Sequence, residues 1–496
     1  AVLIEKIFMG GFKNMTNVYS PYAPQFSLMS KNVLEEIHWN SCRLLETVGV
    51  NVFNAEGLRL LKDAGALVKG NHVRIPTGLV EWALKAAPSR ITVYDRLGTP
   101  KMYLEGTKSY FGTGSDCPNI IDHQTGIRRK PVREDIVLSA KLCDGLANID
   151  FLMSMGLITD VPEEMAYLEQ FNIMVNNSSK PMTIIAADGK CLEYTIEMAS
   201  LLVGGQDELS NKPIFVLYDE PSSPLQHSDT AVEKLLIMAE KKLPTNYSPG
   251  AMAGATCPVT PAGAVIQAVS EILSGLVMHQ LKKPGAPFVF GAGMSPMDMG
   301  SMQPTYCAPE AMLTQAAVCQ LAQYHNLPSW GFAGCSGSKT VDEQAALEAG
   351  SFVFMAGIMG SNLVHDLGYL EFGLTFSNEL LVICNEAVGQ VRRILGGVHM
   401  TPDQMAIDVI EKVGPGGNYL GHEHTFNNFR KNWQPDVTDR RSYEQWADKG
   451  STTMRQRAKD KIEHIIDTHK VTPLDDRTRQ GLLDILREAE KDMVKK

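Results

Sequence analysis

The chain has 496 residues, of which 44% are hydrophobic, 21% charged and 7% aromatic, the profile of a globule able to bury a large core rather than a disordered chain. Lys and Arg number 46 against 56 Asp and Glu, a formal net charge of −10, so nucleic acid and anionic membrane, which need a basic surface, are not expected as partners. The cysteines are spread singly without CxxC spacing, which argues against a zinc ribbon or a thioredoxin-type site and for a reducing compartment.

The first thirty residues lack the basic start and apolar run of a signal peptide, and nowhere do ~20 apolar residues run unbroken. A cytoplasmic protein is expected. Residues 1–106 read as a helical N-terminal segment with a small hairpin. One helix follows Ser30 and stops at Gly49, a shorter one runs from Glu56 to Gly65, and a third is capped by Thr77. ITVYDR and KMYLEG alternate around Leu97-Gly98-Thr99-Pro100 as a hairpin.

From 107 to 397 short apolar runs alternate with helical patterns. The runs are 109–115, 149–156, 181–188, 213–220, 244–251, 287–293, 328–334 and 362–368, and helices are expected at 133–147, 163–177, 189–204, 229–241, 261–282, 309–325, 341–358 and 376–395. Parallel strands need such crossovers, and eight units is the closing number of an α/β fold of the (β/α)8 TIM-barrel type. A doubly wound open sheet is the runner-up, disfavoured because no GxGxxG follows the first strand. Four strands start at or just after proline (181, 213, 244, 287), where the missing N–H costs the ladder least. Residues 398–496 read as a C-terminal helical extension packing on the barrel, with helices at 402–413, 453–469 and 478–494 and a Gly/His/aromatic loop from 414 to about 450.

The carboxyl ends of parallel barrel strands collect catalytic groups. Tyr110, Ser115, Asp116 and Cys117 fall at the first, where Asp116 can face a cation or simply pin a turn. Asp219, Glu220 and His227 follow another, as possible bases or as loop charges in water. Trp330, Phe332, Tyr369, Phe372 and Phe376, beside His365, Asp366 and Glu371, supply ring faces that attract a cation unable to donate hydrogen bonds. Cys335 with His365 as base is a weaker reading, since no cation nearer than Lys339 depresses the thiol. His422 and His424 lack HExxH spacing and a third ligand, so no metal site is expected.

SWGFAGCSGSKTVDEQAALE, NLVHDLGYLEFGLTFSNELLVICNE and YLGHEHT resemble the trimethylamine methyltransferase family, with similarity from about 30 to 490. The resemblance implies a (β/α)8 barrel that hands a methyl group from an amine to a corrinoid protein. The founding trimethylamine enzymes carry pyrrolysine, whereas this sequence shows only the standard twenty residues; the missing residue would fall within Ser329–Ser338. The chain is therefore similar to the non-pyrrolysine branch, whose members demethylate glycine betaine, proline betaine, carnitine or γ-butyrobetaine. A quaternary ammonium leaves as a neutral amine when Co(I) attacks its methyl carbon, whereas trimethylamine would have to expel an amide anion. Charge leaves nitrogen in that transition state, so rings hold the cation better than a carboxylate pressed against it.

No arginine occurs from 134 to 391, leaving His365, Ser336, Asn246, backbone N–H groups or Lys339 to meet a substrate carboxylate. The expected catalytic residues are His365, Glu220 and Asp116; the expected substrate contacts are Phe332, Tyr369, Phe372, Tyr110, Asn246 and Ser336. The expected acceptor is cob(I)alamin carried by a separate corrinoid protein docking over the barrel mouth, and a homo-oligomer is expected. Two other functions stay open: a betaine-binding barrel without catalysis, and a metal-dependent hydrolase or lyase using His422 and His424.

Overall fold

The computed structural model describes Pro24 and residues 26–494, so most of the thirty residues examined for a signal peptide lie outside the described residues. Its centre is a ring of parallel strands. Tyr110–Phe111, Leu363–His365, Ser329–Phe332, Phe288–Gly291, Thr245–Tyr247, Phe215–Asp219 and Met182–Ile184 lie side by side in that spatial order. The predicted run 149–156 forms no extended strand, but Phe151 bridges Gly112 on one side and Leu152 bridges Met182 on the other, both parallel. That segment closes the ring, giving eight staves.

The intervening helices are Arg133–Gly145, Ala166–Asn177, Gly189–Val203, Asp229–Lys241, Pro261–Lys282, Pro309–Tyr324, Glu343–Met359 and Asn378–Leu395. Asp188, Ser228, Asp342 and Ser377 start four of them by accepting a backbone N–H three residues on. The strand-leading prolines accept without needing to donate: the carbonyls of Pro181 and Pro244 take N–H groups of Leu152 and Leu217 at 3.1 and 3.0 Å.

The hairpin Ile91–Tyr94 with Pro100–Leu104 plugs the amino end of the barrel. Its Ile91, Val93, Met102 and Leu104 pack against the barrel's interior Phe151, Val216, Val289, Trp330 and Leu363. Asn362 ties this underside down, donating to the carbonyls of Glu105 and Lys108 and accepting the Ser329 N–H at 2.8 Å. Pro261–Lys282 is long and apolar enough to cross a membrane by composition, yet it is mostly buried, against helices that include Lys31–Thr47, Thr77–Ala86 and Asp229–Lys241.

Three local expectations change. Pro76, not Thr77, holds the cap position of Thr77–Ala86, because the Thr77 hydroxyl donates to Glu46 instead. The N-terminal segment carries a sheet of Val50–Val52, Leu67–Lys69 and His72–Arg74, joined by Gln226–His227 from a barrel loop; strands of three residues are too short to show a period. The helix expected over 402–413 breaks at Ala406, which takes φ 51°, into Pro402–Met405 and Ile407–Val413. Met454–Thr468 and Asp476–Met493 complete the chain's C-terminal helices.

Candidate active site

A cavity of about 630 Å³ opens at the carboxyl ends of the barrel strands. Four of its lining residues are aromatic, Tyr218, Tyr306, Phe332 and Tyr369. Phe332 meets Tyr306 edge-on at 5.7 Å between ring centres and is backed by Phe352 at 5.0 Å. The His365 ring lies 4.4 Å from Trp330 and 5.6 Å from Tyr218, so aromatic neighbours hold it in place. Its Nδ1 is 2.6 Å from Asp366 Oδ1, a contact of opposite charges when the ring is protonated, without hydrogen-bond alignment. Tyr369 donates its hydroxyl to the Ser115 carbonyl.

Asp116, Asp219, Glu220 and Asp366 place carboxylates in the same lining. Asp116 accepts from the Tyr167 hydroxyl at 3.0 Å, its other oxygen is buried without a partner, and burial pushes its carboxyl up to about 6. Burial likewise pushes Asp219 up to about 6, against the pull of Lys234, whose ammonium sits 3.0 Å away. Glu220 borders the cavity at its exposed rim; loss of water to the surrounding protein raises its carboxyl, while the Tyr218 hydroxyl donated to it works the other way. Asp116 (φ 64°) and Asp366 (φ 75°) both hold left-handed backbone, a concentration of strain at the mouth.

Asp116 yields a pH-dependent expectation. Its folded value of about 6 exceeds the unfolded value of about 3.9, so the folded protein binds the proton more tightly. That stabilising contribution is complete below about pH 4 and is lost as pH rises through about 6. Asparagine at this position escapes the loss and tolerates the left-handed backbone equally well. Asp116→Asn is expected to raise stability at pH 8 by about 1–3 kcal/mol and to give a vanishing gain near pH 4, read from urea midpoints at the two pH values.

Five of the residues expected from sequence, Asp116, Glu220, Phe332, His365 and Tyr369, share this cavity. The other four lie elsewhere. Tyr110 points to the opposite end of the barrel, where its hydroxyl accepts the Tyr103 N–H of the plugging hairpin. Asn246 is wholly buried; its strand partner is Tyr218, so it faces the barrel interior, outside the cavity lining, with its amide unpartnered. Ser336 donates to Glu348 at 2.7 Å and stabilises its own turn. Phe372 packs over Gly337, with the Lys339 ammonium 4.8 Å from its ring, so Lys339 also stands away from the lining.

Lys234, Tyr218 and Tyr306 are lining residues that sequence does not single out. A lysine in mid-helix reads as solvated, yet Lys234 is only 8% exposed and also donates to the Ala186 carbonyl at 3.1 Å. Tyr218 carried a signal in its place beside Asp219 and Glu220 at a strand's end. The nucleophile reading of Cys335 is not supported: contact with Cys307 and burial push its thiol well up, so it stays protonated. His422 caps the helix Glu423–Asn428 by accepting the His424 N–H at 3.1 Å, and no group of three potential ligands gathers around a metal position among the described residues.

Residues 9–493 match the family model for trimethylamine methyltransferase (MTTB). The chain is 32% identical over 463 residues to Trimethylamine methyltransferase MttB of Desulfitobacterium hafniense (strain DSM 10664 / DCB-2), covering 93% of each chain. It is 31% identical over 477 residues to Trimethylamine methyltransferase MttB of Methanosarcina barkeri (strain Fusaro / DSM 804), covering 94% of this chain and 96% of that one. It is 30% identical over 457 residues to Glycine betaine methyltransferase of Desulfitobacterium hafniense (strain Y51), covering 91% and 95%. Among solved structures, the Methanosarcina barkeri monomethylamine methyltransferase (MtmB) shares the fold with a TM-score of 0.52 at 10% identity, over 94% of this chain and 89% of that one.

Proposed function

The chain belongs to the trimethylamine methyltransferase family, and on that premise we propose that it moves a methyl group from a quaternary amine, glycine betaine first, to Co(I) of a corrinoid on a separate protein. The observation that carries this reading is the lining of the cavity, where Tyr218, Tyr306, Phe332 and Tyr369 present rings beside four carboxylates and a single ammonium. A trimethylammonium group has no N–H to donate, and ring faces and diffuse negative charge are what attract it. A neutral or anionic guest would gain little from such walls.

The reaction asks of the protein mainly position. The Co(I) electron pair forms the Co–C bond, the C–N bond breaks, and its electrons stay on nitrogen, which leaves as a neutral tertiary amine. No proton has to be supplied. Phe332, Tyr306 and Tyr369 hold the ammonium with one methyl group facing the open mouth, and His365, locked between Trp330 and Tyr218, limits how the head group turns. The corrinoid protein docks over the mouth, the open side of the cavity. All nine cysteines are free, which suits a reducing cytoplasm.

The test is a panel of quaternary amines, with trimethylamine beside them, incubated with the protein and cob(I)alamin while the absorbance change to methylcobalamin is followed. A betaine that reacts where trimethylamine does not is the expected result. Trimethylamine alone reacting overturns the substrate assignment. Betaine affinity without methyl transfer to a reduced corrinoid protein favours the binding-protein reading instead.

A further inference from the structure

We propose that Lys234 anchors a carboxylate at the far end of the substrate, so that the cavity selects zwitterionic quaternary amines over cations lacking an acid group. The proposal rests on the quaternary-amine reading above and deepens it.

Among the described residues, Lys234 is the sole lysine or arginine lining the cavity. It stands on Asp229–Lys241, the helix that follows the strand Phe215–Asp219, and its ammonium reaches Asp219 at 3.0 Å and the Ala186 carbonyl, just past the strand Met182–Ile184, at 3.1 Å. In the eight-stave ring those two strands stand opposite Ser329–Phe332 and Leu363–His365. The latter pair carries Phe332 and His365, so those two rings face the ammonium across the mouth, while Tyr218 stands on the strand of Asp219. That layout suits a molecule positive at one end and negative at the other.

An ammonium has three N–H donors. Asp219 and Ala186 take two, and the third is left for a ligand. Asp219 also fixes the direction in which the ammonium points. Asp116, Glu220 and Asp366 repel a substrate carboxylate at other parts of the wall, which steers it toward Lys234. A hydrogen bond from a desolvated ammonium to a carboxylate is among the strong ones.

Calorimetric titration of the purified protein with glycine betaine and with choline, which keeps the cation but not the acid, tests this. Wild type is expected to bind glycine betaine about tenfold or more tightly than choline. In Lys234→Met the ratio is expected to fall toward one, and Lys234→Arg to restore part of it. Because Lys234→Met strands Asp219 as a buried charge, the paired variant Asp219→Asn with Lys234→Met removes both charges together and is expected to lose the same selectivity. Equal wild-type affinities, or a ratio unchanged in both methionine variants, overturns the anchor and leaves the quaternary-amine reading standing. Wild type that takes up neither compound defeats the glycine betaine assignment, and the anchor with it.

Discussion

Replacing Phe332 by leucine is expected to raise KM for a quaternary amine about 30-fold while kcat changes less than about threefold. Leucine fills most of the same space against Phe352 and Tyr306 but has no ring face to offer. A desolvated cation–π contact is worth about 2 kcal/mol, which sets the size of the effect. Its direction follows from where the charge goes. The ring holds the ammonium in the ground state and loses part of that attraction as nitrogen becomes neutral, so the loss falls on binding more than on the chemical step. Steady-state kinetics separates the two, and a thermal midpoint within a few degrees of wild type excludes unfolding as the cause. A loss confined to kcat would mean that Phe332 does not touch the cation.

The second large effect is expected at Gly114, where Gly114→Ala should lower kcat/KM about 100-fold or more. A Cβ built on Gly114 collides with Asp366 Oδ1 and with the Tyr369 hydroxyl, both of which line the cavity. Both are held in place. Tyr369 is pinned by the bond from its hydroxyl to the Ser115 carbonyl, and Asp366 sits in left-handed backbone against His365. One methyl group therefore displaces a ring and a carboxylate together, and a shift of about 1 Å in a positioning group is enough for a loss of this order. Kinetics with the preferred amine, alongside circular dichroism of the folded protein, checks it. Wild-type kinetics in a folded Gly114→Ala protein would show that the Asp366 and Tyr369 side of the mouth is irrelevant to catalysis.

The barrel was legible because its eight units repeat a local signal. Each strand run is short and apolar, several are announced by proline, and four of the helices begin at a capping residue such as Asp188, Ser228 or Ser377. Even the stave at 149–156 was visible as an apolar run although it pairs only through isolated bridges. Asp116, Glu220, Phe332, His365 and Tyr369 were legible as mouth residues because strand ends and the loops after them are fixed by the same pattern. Depth and facing were not. Tyr110 lies near the start of its stave and so belongs to the plugged end, Ser336 is consumed by Glu348, and Phe372 turns onto Gly337.

By itself, then, the sequence determined the number of strand-helix units and the set of polar and aromatic groups available at one rim, since both follow from periodicity and chain order. Only the tertiary structure decided which of those groups face one another. Lys234 enters the mouth because its four-carbon stem lies buried against the barrel while Asp219, on the preceding strand, holds its head. Tyr218 and Tyr306 join Phe332 because a closed ring of eight staves brings distant segments to one rim. Such meetings depend on closure and register, which no local stretch of chain encodes.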